Sequence, residues 1–354
     1  AARNAALPHV KTDWVLILDA DEQLCDGAAL ALRRAVQDAT FDVGMMPLHN
    51  ADSLDASREA VLQGHARLDE PILLPRLLRY TPDLAWTGVV HETIGEWVTR
   101  GKRALATVDV PIVHYGAVPA LRDARDKAAR NLRLLERRCL IAKEDVVART
   151  YLARELIREG RTDRAGEEIE TAWAQLCAQL NGNGPTPSVV PLFTLRAHLA
   201  LQNDDPQRAL DSVQAVRAQK IAHPNIDLLE GAAWSAQAAR SPLDMQNQAL
   251  VKSRNALIAA TQHHGKTFAD EVLPGATSWA ASTQLGNVLL AQGQWNTALQ
   301  VFEASLAVNP QQPTAVLGRT EAQIALNEPT KGLSALEPFL AGENSNAWLL
   351  AAVA

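Results

Sequence analysis

Two carboxylates one residue apart, Asp19 and Asp21, follow directly on the apolar run Trp14, Val15, Leu16, Ile17, Leu18, and Glu22 comes next. An unbroken, partly β-branched apolar run ended by acids is the pattern of a strand buried on both faces. In an open α/β sheet such a strand delivers its last residues to the carboxyl edge, where ligands bind. Two carboxylates there suit a hard divalent cation, Mg²⁺ or Mn²⁺, which takes oxygen ligands and shares them with substrate phosphates. The chemistry expected of the pair is metal-mediated binding of a diphosphate, as in a nucleotide sugar. The competing reading is an acidic helix cap, which Asp21 can also supply ahead of Gly27.

The elements that must position these groups are short. Gly27–Val36 reads as a helix and Val43–Leu48 as a second strand leading into the polar stretch 50–57. Arg76–Arg79, Val89-Val90 and Val108–His114 are further strand candidates, with Pro82, Gly88, Gly95 and Gly101 marking turns. His114 ends the last of these, where a neutral imidazole can complete a metal's coordination or touch a diphosphate. Arg76 and Arg79 read as solvated residues at a strand edge.

Beyond Tyr115 the texture changes. Leu121–Lys143 is charged and helical in period, and from about Val146 the chain is rich in Ala and Leu and almost free of strand signals. Taking 279–312 as one 34-residue helix–turn–helix unit puts Leu285, Gly286 and Leu289 in the first helix, Ala298 and Phe302 in the second, and Pro310 at the closing turn. These are the small, large and turn positions of a tetratricopeptide repeat. A second unit fits 146–179, a third surrounds Ala209 and Val213, and a degenerate one follows Pro313. The tryptophans at 173, 234, 279, 295 and 348 read as packing residues, and His263-His264 lacks the i, i+4 spacing of a helical metal site.

Composition narrows the classes. A chain of 354 residues with 47% hydrophobic content has length for two cores. A net charge of −6 without a dense Lys/Arg block argues against nucleic acid as a partner. Cys25, Cys139 and Cys177 form no C-x-x-C pair, which fits a reducing compartment. No apolar run reaches the roughly 20 residues of a membrane span. A soluble, cytoplasmic protein, peripheral at an inner membrane if attached at all, is the expectation.

Four motifs in order resemble the family 2 (GT-A) glycosyltransferases. They are Arg3-Asn4 ahead of the Asp13-Trp14 strand and its Asp19-Ala20-Asp21-Glu22 end; Arg76-Leu77-Leu78-Arg79; Trp86-Thr87-Gly88 with Val90-His91-Glu92; and Ile112-Val113-His114-Tyr115-Gly116. The resemblance covers roughly 1–140 and is closest to bacterial members with attached tetratricopeptide repeats. It implies an α/β region, a partial GT-A-type sheet with helices, followed by an all-α tetratricopeptide-like superhelix. The boundaries it suggests are 1–118 for the transferase portion, 119–145 for a linking helix and 146–354 for the repeats. The family's front βαβ unit has no counterpart here, so the natural chain is expected to begin upstream.

By the same resemblance, Asp21 and Asp19 hold the metal with His114, and Arg3 joins them at the donor diphosphate. Glu92, with His91 beside it, is the first choice for the base that deprotonates the acceptor, with Asp83 and Glu22 behind it, because an inverting transfer needs a carboxylate there. Trp86 lines the acceptor pocket. The implied activity is transfer of a sugar from a nucleotide sugar, a UDP-sugar above all, to a peptide, protein, lipid or saccharide, in a hexosyltransferase-like enzyme. The repeats would offer a helical surface to a peptide or protein partner. The alternative, from a different class, is a non-catalytic tetratricopeptide scaffold for protein–protein interaction.

Overall fold

The computed structural model describes residues 2–37, 39–68, 70–90, 92–118, 127–180, 189–310 and 312–337. The chain divides into two compact units, 1–195 with 267–271, and 196–266 with 272–354.

In the first unit a short helix α1 (Ala2–Ala6) precedes six strands: β1 (Trp14–Leu16), β2 (Glu22–Leu24), β3 (Val43–Asn50), β4 (Ile72–Arg79), β5 (Leu105–Thr107) and β6 (Ile112–His114). Helices α2 (Ala28–Gln37), α3 (Arg58–Leu62) and α4 (Gly95–Gly101) lie between them in the chain. The sheet order is β1-β4-β3-β6-β2. β3 pairs antiparallel with β4 and parallel with both β5 and β6, which meet it one after the other along its length. A bulge falls at Gly44/Met45. A Cβ on Gly44 would come within 2.9 Å of Val108 Cγ2 and 3.0 Å of Leu77 Cβ, so the strands close there only around glycine.

Adjacent strand residues point to opposite faces, and Leu77 and Leu78 accordingly join different clusters. Leu77 packs with Met46, Leu48, Val108, Ile112 and the apolar stripe of α2, while Leu78 packs with Leu7, Val43, Trp86, Ile94 and Trp97. Both faces of the sheet are therefore covered.

Several expectations change here. The run Trp14–Leu18 does not form a strand buried on both faces: β1 keeps three residues and, among the described residues, lies at the sheet's edge and pairs antiparallel with β4 alone. Leu16 and Leu18 remain 38% and 43% exposed. An apolar run records hydrophobicity and says nothing of how many neighbours a strand has. Val89-Val90 forms no strand, since Thr87 and Thr93 close a bridge around it with reciprocal N–H···O bonds of 2.9 Å. The observed strands are not established as a GT-A sheet.

Of the linking region, 119–126 lies outside the described residues, and 127–141 forms α5 (Lys127–Ile141). Leu132, Leu135 and Cys139 of α5 pack on the first helical hairpin, α6 (Val146–Arg158) and α7 (Thr162–Leu180).

The helices continue as α8 (Val190–Gln202), α9 (Pro206–Ala218), α10 (Pro224–Arg240), α11 (Leu243–Thr261), α12 (Trp279–Ala291), α13 (Trp295–Val308), α14 (Pro313–Ala325) and α15 (Pro329–Ser334). Their ends follow local rules. Asp145 and Asp205 cap α6 and α9 by accepting from the third N–H along, and Pro opens α9, α10, α14 and α15, where its missing N–H costs nothing. Gly160 and Gly293 take positive φ in the turns after α6 and α12.

The hairpin α12–α13 is the 279–312 unit read from the sequence, and its packing explains the residue choice. Phe302 is fully buried, and a Cβ would lie 2.6 Å from its ring on Gly286 of α12 and 2.2 Å on Gly318 of α14. Three helices approach one ring because two of them have no side chain in the way. A polar ladder fills the remaining interior: Thr283 Oγ1 donates to the Trp279 carbonyl and meets Ser305 Oγ at 2.8 Å and Gln312 Oε1 at 2.5 Å. This tetratricopeptide-like helical fold makes up most of the described chain.

The buried ring cannot swing aside, so Gly318→Ala is expected to destabilise the second unit by about 1–3 kcal/mol through overpacking, despite alanine's better helix propensity. Hydrogen exchange of the α12–α14 amides measures it; protection equal to or above that of the parent would show that the ring has room to move.

Candidate functional site

The acidic turn in the first unit is built by groups far apart in the chain. Residues 17–21 leave β1 for β2, and Glu22 N–H bonds the Asp19 carbonyl at 3.0 Å. Arg76, 6% exposed on β4, reaches both acids: its Nη2 donates to Asp19 Oδ2 at 3.2 Å and to Glu22 Oε1 in a shorter bond. From α1, Arg3 donates to the two oxygens of Asp19 at 2.9 and 3.1 Å. Asp19 N–H in turn donates to Glu22 Oε2 at 3.0 Å. Asp21 faces the other way, with His114 Nε2 3.6 Å from its Oδ1, while His114 Nδ1 lies 2.8 Å from Asn50 Oδ1. Gly116 closes on this pair; a Cβ there would stand 2.0 Å from Asp21 Oδ2.

The electrostatics follow from these contacts. Burial alone would raise Asp19, but the Arg76 and Arg3 guanidiniums outweigh it and hold the carboxyl below its ordinary value. Glu22 is raised: burial is the main cause, only partly offset by the Asp19 N–H and Arg76. Two cations thus meet two carboxylates in a network that neutralises itself.

Of the residues singled out in the sequence, the structure brings together Arg3, Asp19, Asp21 and His114. It adds Glu22 and Arg76, and Arg76 is a buried ion-pair partner, not a solvated strand-edge residue. The expected metal set of Asp21, Asp19 and His114 is divided, since Asp19 is taken by two guanidiniums. Among the described residues no group of three or more His, Cys, Asp or Glu side chains is arranged to hold a metal ion. Trp86 is 5% exposed within the core around Leu7 and Trp97. Its backbone is clamped by Asn4, which donates to the Trp86 carbonyl at 2.9 Å and accepts from its N–H at 2.8 Å. Glu92 is half-buried in the turn closed by Thr87 and Thr93, and His91 lies outside the described residues.

A second site, missed in the sequence, lies in the second unit. An open groove of about 380 Å³ runs between α9 and α10. α9 lines it with Gln207, Asp211, Gln214 and Arg217, and α10 with Glu230 and Trp234. Asp211 accepts from Gln207 Nε2 at 2.8 Å. Arg217 Nη2 donates to Glu230 at 2.6 Å and, in a shorter bond, to Asp227, whose other oxygen is 2.8 Å from His263 Nε2. Burial would lower the Arg217 guanidinium, but its bonds to Asp227 and Glu230 raise it, so it stays charged. Lys252 of α11 places its ammonium 4.0 Å from the Trp234 ring centroid. The 3–4 spacing of 207, 211, 214 and 217 was visible as one helix face. Only packing revealed that Glu230 and Trp234 meet it.

No family model matches the chain. A TPR repeat-containing protein of Synechococcus elongatus is 26% identical over 230 residues, 62% of this chain and 52% of that protein. The chain thus spans about half the length of that relative. Among solved structures, a thermophilic TPR protein of Thermus thermophilus is 15% identical, with 59% of this chain and 98% of that one covered at a TM-score of 0.44. A tetratricopeptide repeat protein from Parabacteroides merdae is 13% identical, with 66% and 80% covered at 0.48. A TPR protein with an unusual peptide-binding site is 13% identical, with 62% and 97% covered at 0.42.

The relatives found are tetratricopeptide-repeat proteins and not glycosyltransferases, in keeping with the repeated hairpins from α6 onward. The reading of the chain as a hexosyltransferase-like enzyme of family 2, with a GT-A fold, a metal-binding Asp-x-Asp motif and a nucleotide-sugar donor, is corrected on that finding. The structure supplies a physical reason for the misleading motif: its first acid is engaged by Arg3 and Arg76. No helix among the described residues is long and apolar enough to cross a membrane.

Arg76→Met leaves Glu22 buried without its cation and is expected to cost about 3–5 kcal/mol at neutral pH. A carboxyl held above its unfolded value binds its proton more tightly in the fold. Its contribution is therefore full below the ordinary value of 4.5 and declines as pH rises through the raised one. The loss in Arg76→Met should shrink at pH 4 and be largely recovered by adding Glu22→Gln, with urea unfolding followed by near-ultraviolet circular dichroism as the measurement. A loss independent of pH would mean that Arg76 acts by packing alone.

Proposed function

We propose that the chain is a non-catalytic tetratricopeptide scaffold that holds a segment of a partner protein in the groove between α9 and α10. The observation that carries this reading is the groove itself, which sets amides, carboxylates, a guanidinium and an indole along one open face. Its volume falls within the roughly 300–1,000 Å³ of specific binding sites. From Gln207 to Arg217 the lining of α9 extends over about 15 Å, the length of four or five residues of extended chain at about 3.3 Å each. Gln207 and Gln214 offer side-chain amides that can pair with a peptide backbone, which carries one donor and one acceptor per residue. Trp234 supplies apolar area with few rotatable bonds. The relation to a TPR repeat-containing protein supports the scaffold class without naming a partner.

The test is selection of displayed twelve-residue peptides on the purified chain, followed by fluorescence anisotropy against a Gln214→Trp variant. Gln214 is exposed, so the bulky side chain fills the groove and leaves the helix packing alone. Selected peptides are expected to lose at least about tenfold in affinity, which corresponds to about 1.4 kcal/mol. Peptides that bind both forms equally, or none enriched above the variant, would sink the reading.

A further inference from the structure

Resting on that reading, we infer that the occupant of the α9–α10 groove carries a basic side chain, an arginine or lysine, that ion-pairs with Asp211 and Glu230 beside the Trp234 ring. Asp211 is exposed at the groove, and its hydrogen bond is to the neutral amide of Gln207 at 2.8 Å. Glu230 has a cation, but a shared one: Arg217 serves both Glu230 and the buried Asp227. Two carboxylates, Asp227 and Glu230, thus share one guanidinium, and Asp227 has His263 Nε2 as its other neighbour. The groove lining sets two carboxylates, Asp211 and Glu230, against one guanidinium, Arg217, so an incoming cation is attracted.

The indole points the same way. Lys252 already lies over Trp234 at 4.0 Å, which shows that this ring's face accepts an ammonium in the geometry of a cation–π contact. Lys252 is exposed and belongs to α11, outside the groove lining, so it can leave the ring without loss of core packing. A guanidinium from a partner would stack on the indole and reach the carboxylates at once, the combination of planarity and fixed donors that distinguishes arginine from lysine. Buried Leu210 and Val213 also line the groove and give an adjacent apolar side chain a place to sit.

Three dye-labelled decapeptides on one leucine–glycine frame, with two arginines, two glutamates or two glutamines, test this on the full chain by fluorescence anisotropy. The arginine peptide is expected to bind tightest, to weaken about two- to fivefold in Asp211→Asn and to weaken with added salt. Lys252→Ala removes a competing cation and is expected to tighten the same peptide. Equal binding of all three peptides, blocked by Gln214→Trp, would overturn the basic preference and leave the docking reading in place. Preference for the glutamate peptide, weakening in Lys252→Ala, or binding of none of the three while a displayed peptide still docks would overturn it as well. Failure of the displayed peptides in the Gln214→Trp comparison would instead remove the docking reading beneath it.

Discussion

A helical hairpin of about thirty residues cannot bury its own apolar face, and that shortfall governs the repeat region. Each hairpin must lend its exposed stripe to the next, and close-packed interiors accept only side chains that fit. The junction at Phe302 shows the constraint at its tightest. One aromatic ring from α13 occupies space that Gly286 and Gly318 leave empty on α12 and α14. The hydroxyls of Thr283 and Ser305 then find partners inside the same junction. Stacking of this kind consumes the inner faces of the helices and leaves others to solvent. The α9 face of Gln207, Asp211, Gln214 and Arg217 is one of these, which is why a polar groove with an aromatic wall exists there at all.

The first unit answers a different problem, a buried charge. Arg76 lies among apolar strands, where an unpaired guanidinium would be costly, and its pairing with Glu22 and Asp19 is what makes the position tolerable. Arg3 completes the balance, and the adjacent Asn4 uses the same short helix to clamp the Trp86 backbone. The acidic turn is thereby recruited as structure. Carboxylates that accept charged hydrogen bonds from two arginines are oriented inward by those bonds, and a motif that looks ready for a metal is largely spoken for.

Charge is used differently in the two units. Around Arg76 the opposite signs are matched, and the Arg76–Glu22 pair is buried. Around Arg217 two carboxylates, Asp227 and Glu230, share one guanidinium at the rim of an open groove.

Much of the fold was legible in the sequence because it is written in local spacing. The helix period and the small, large and turn positions of Gly286, Ala298, Phe302 and Pro310 gave the 279–312 hairpin, and the β-branched and apolar run from Val43 gave β3. Both follow from backbone geometry, which repeats every 3.6 or 2 residues whatever the rest of the chain does. The acidic turn was equally visible, but its meaning was not. Asp19 finds Arg76 from a position 57 residues away, and β1 takes an edge place that its apolar run does not encode. The groove divides in the same way: the α9 face was present in the spacing, whereas Glu230 and Trp234 reach it only through the packing of α10. Period and composition are properties of neighbours in sequence. The partner of a charge, and the number of neighbours a strand has, are settled by which distant surfaces fit together, and only the tertiary structure decides that.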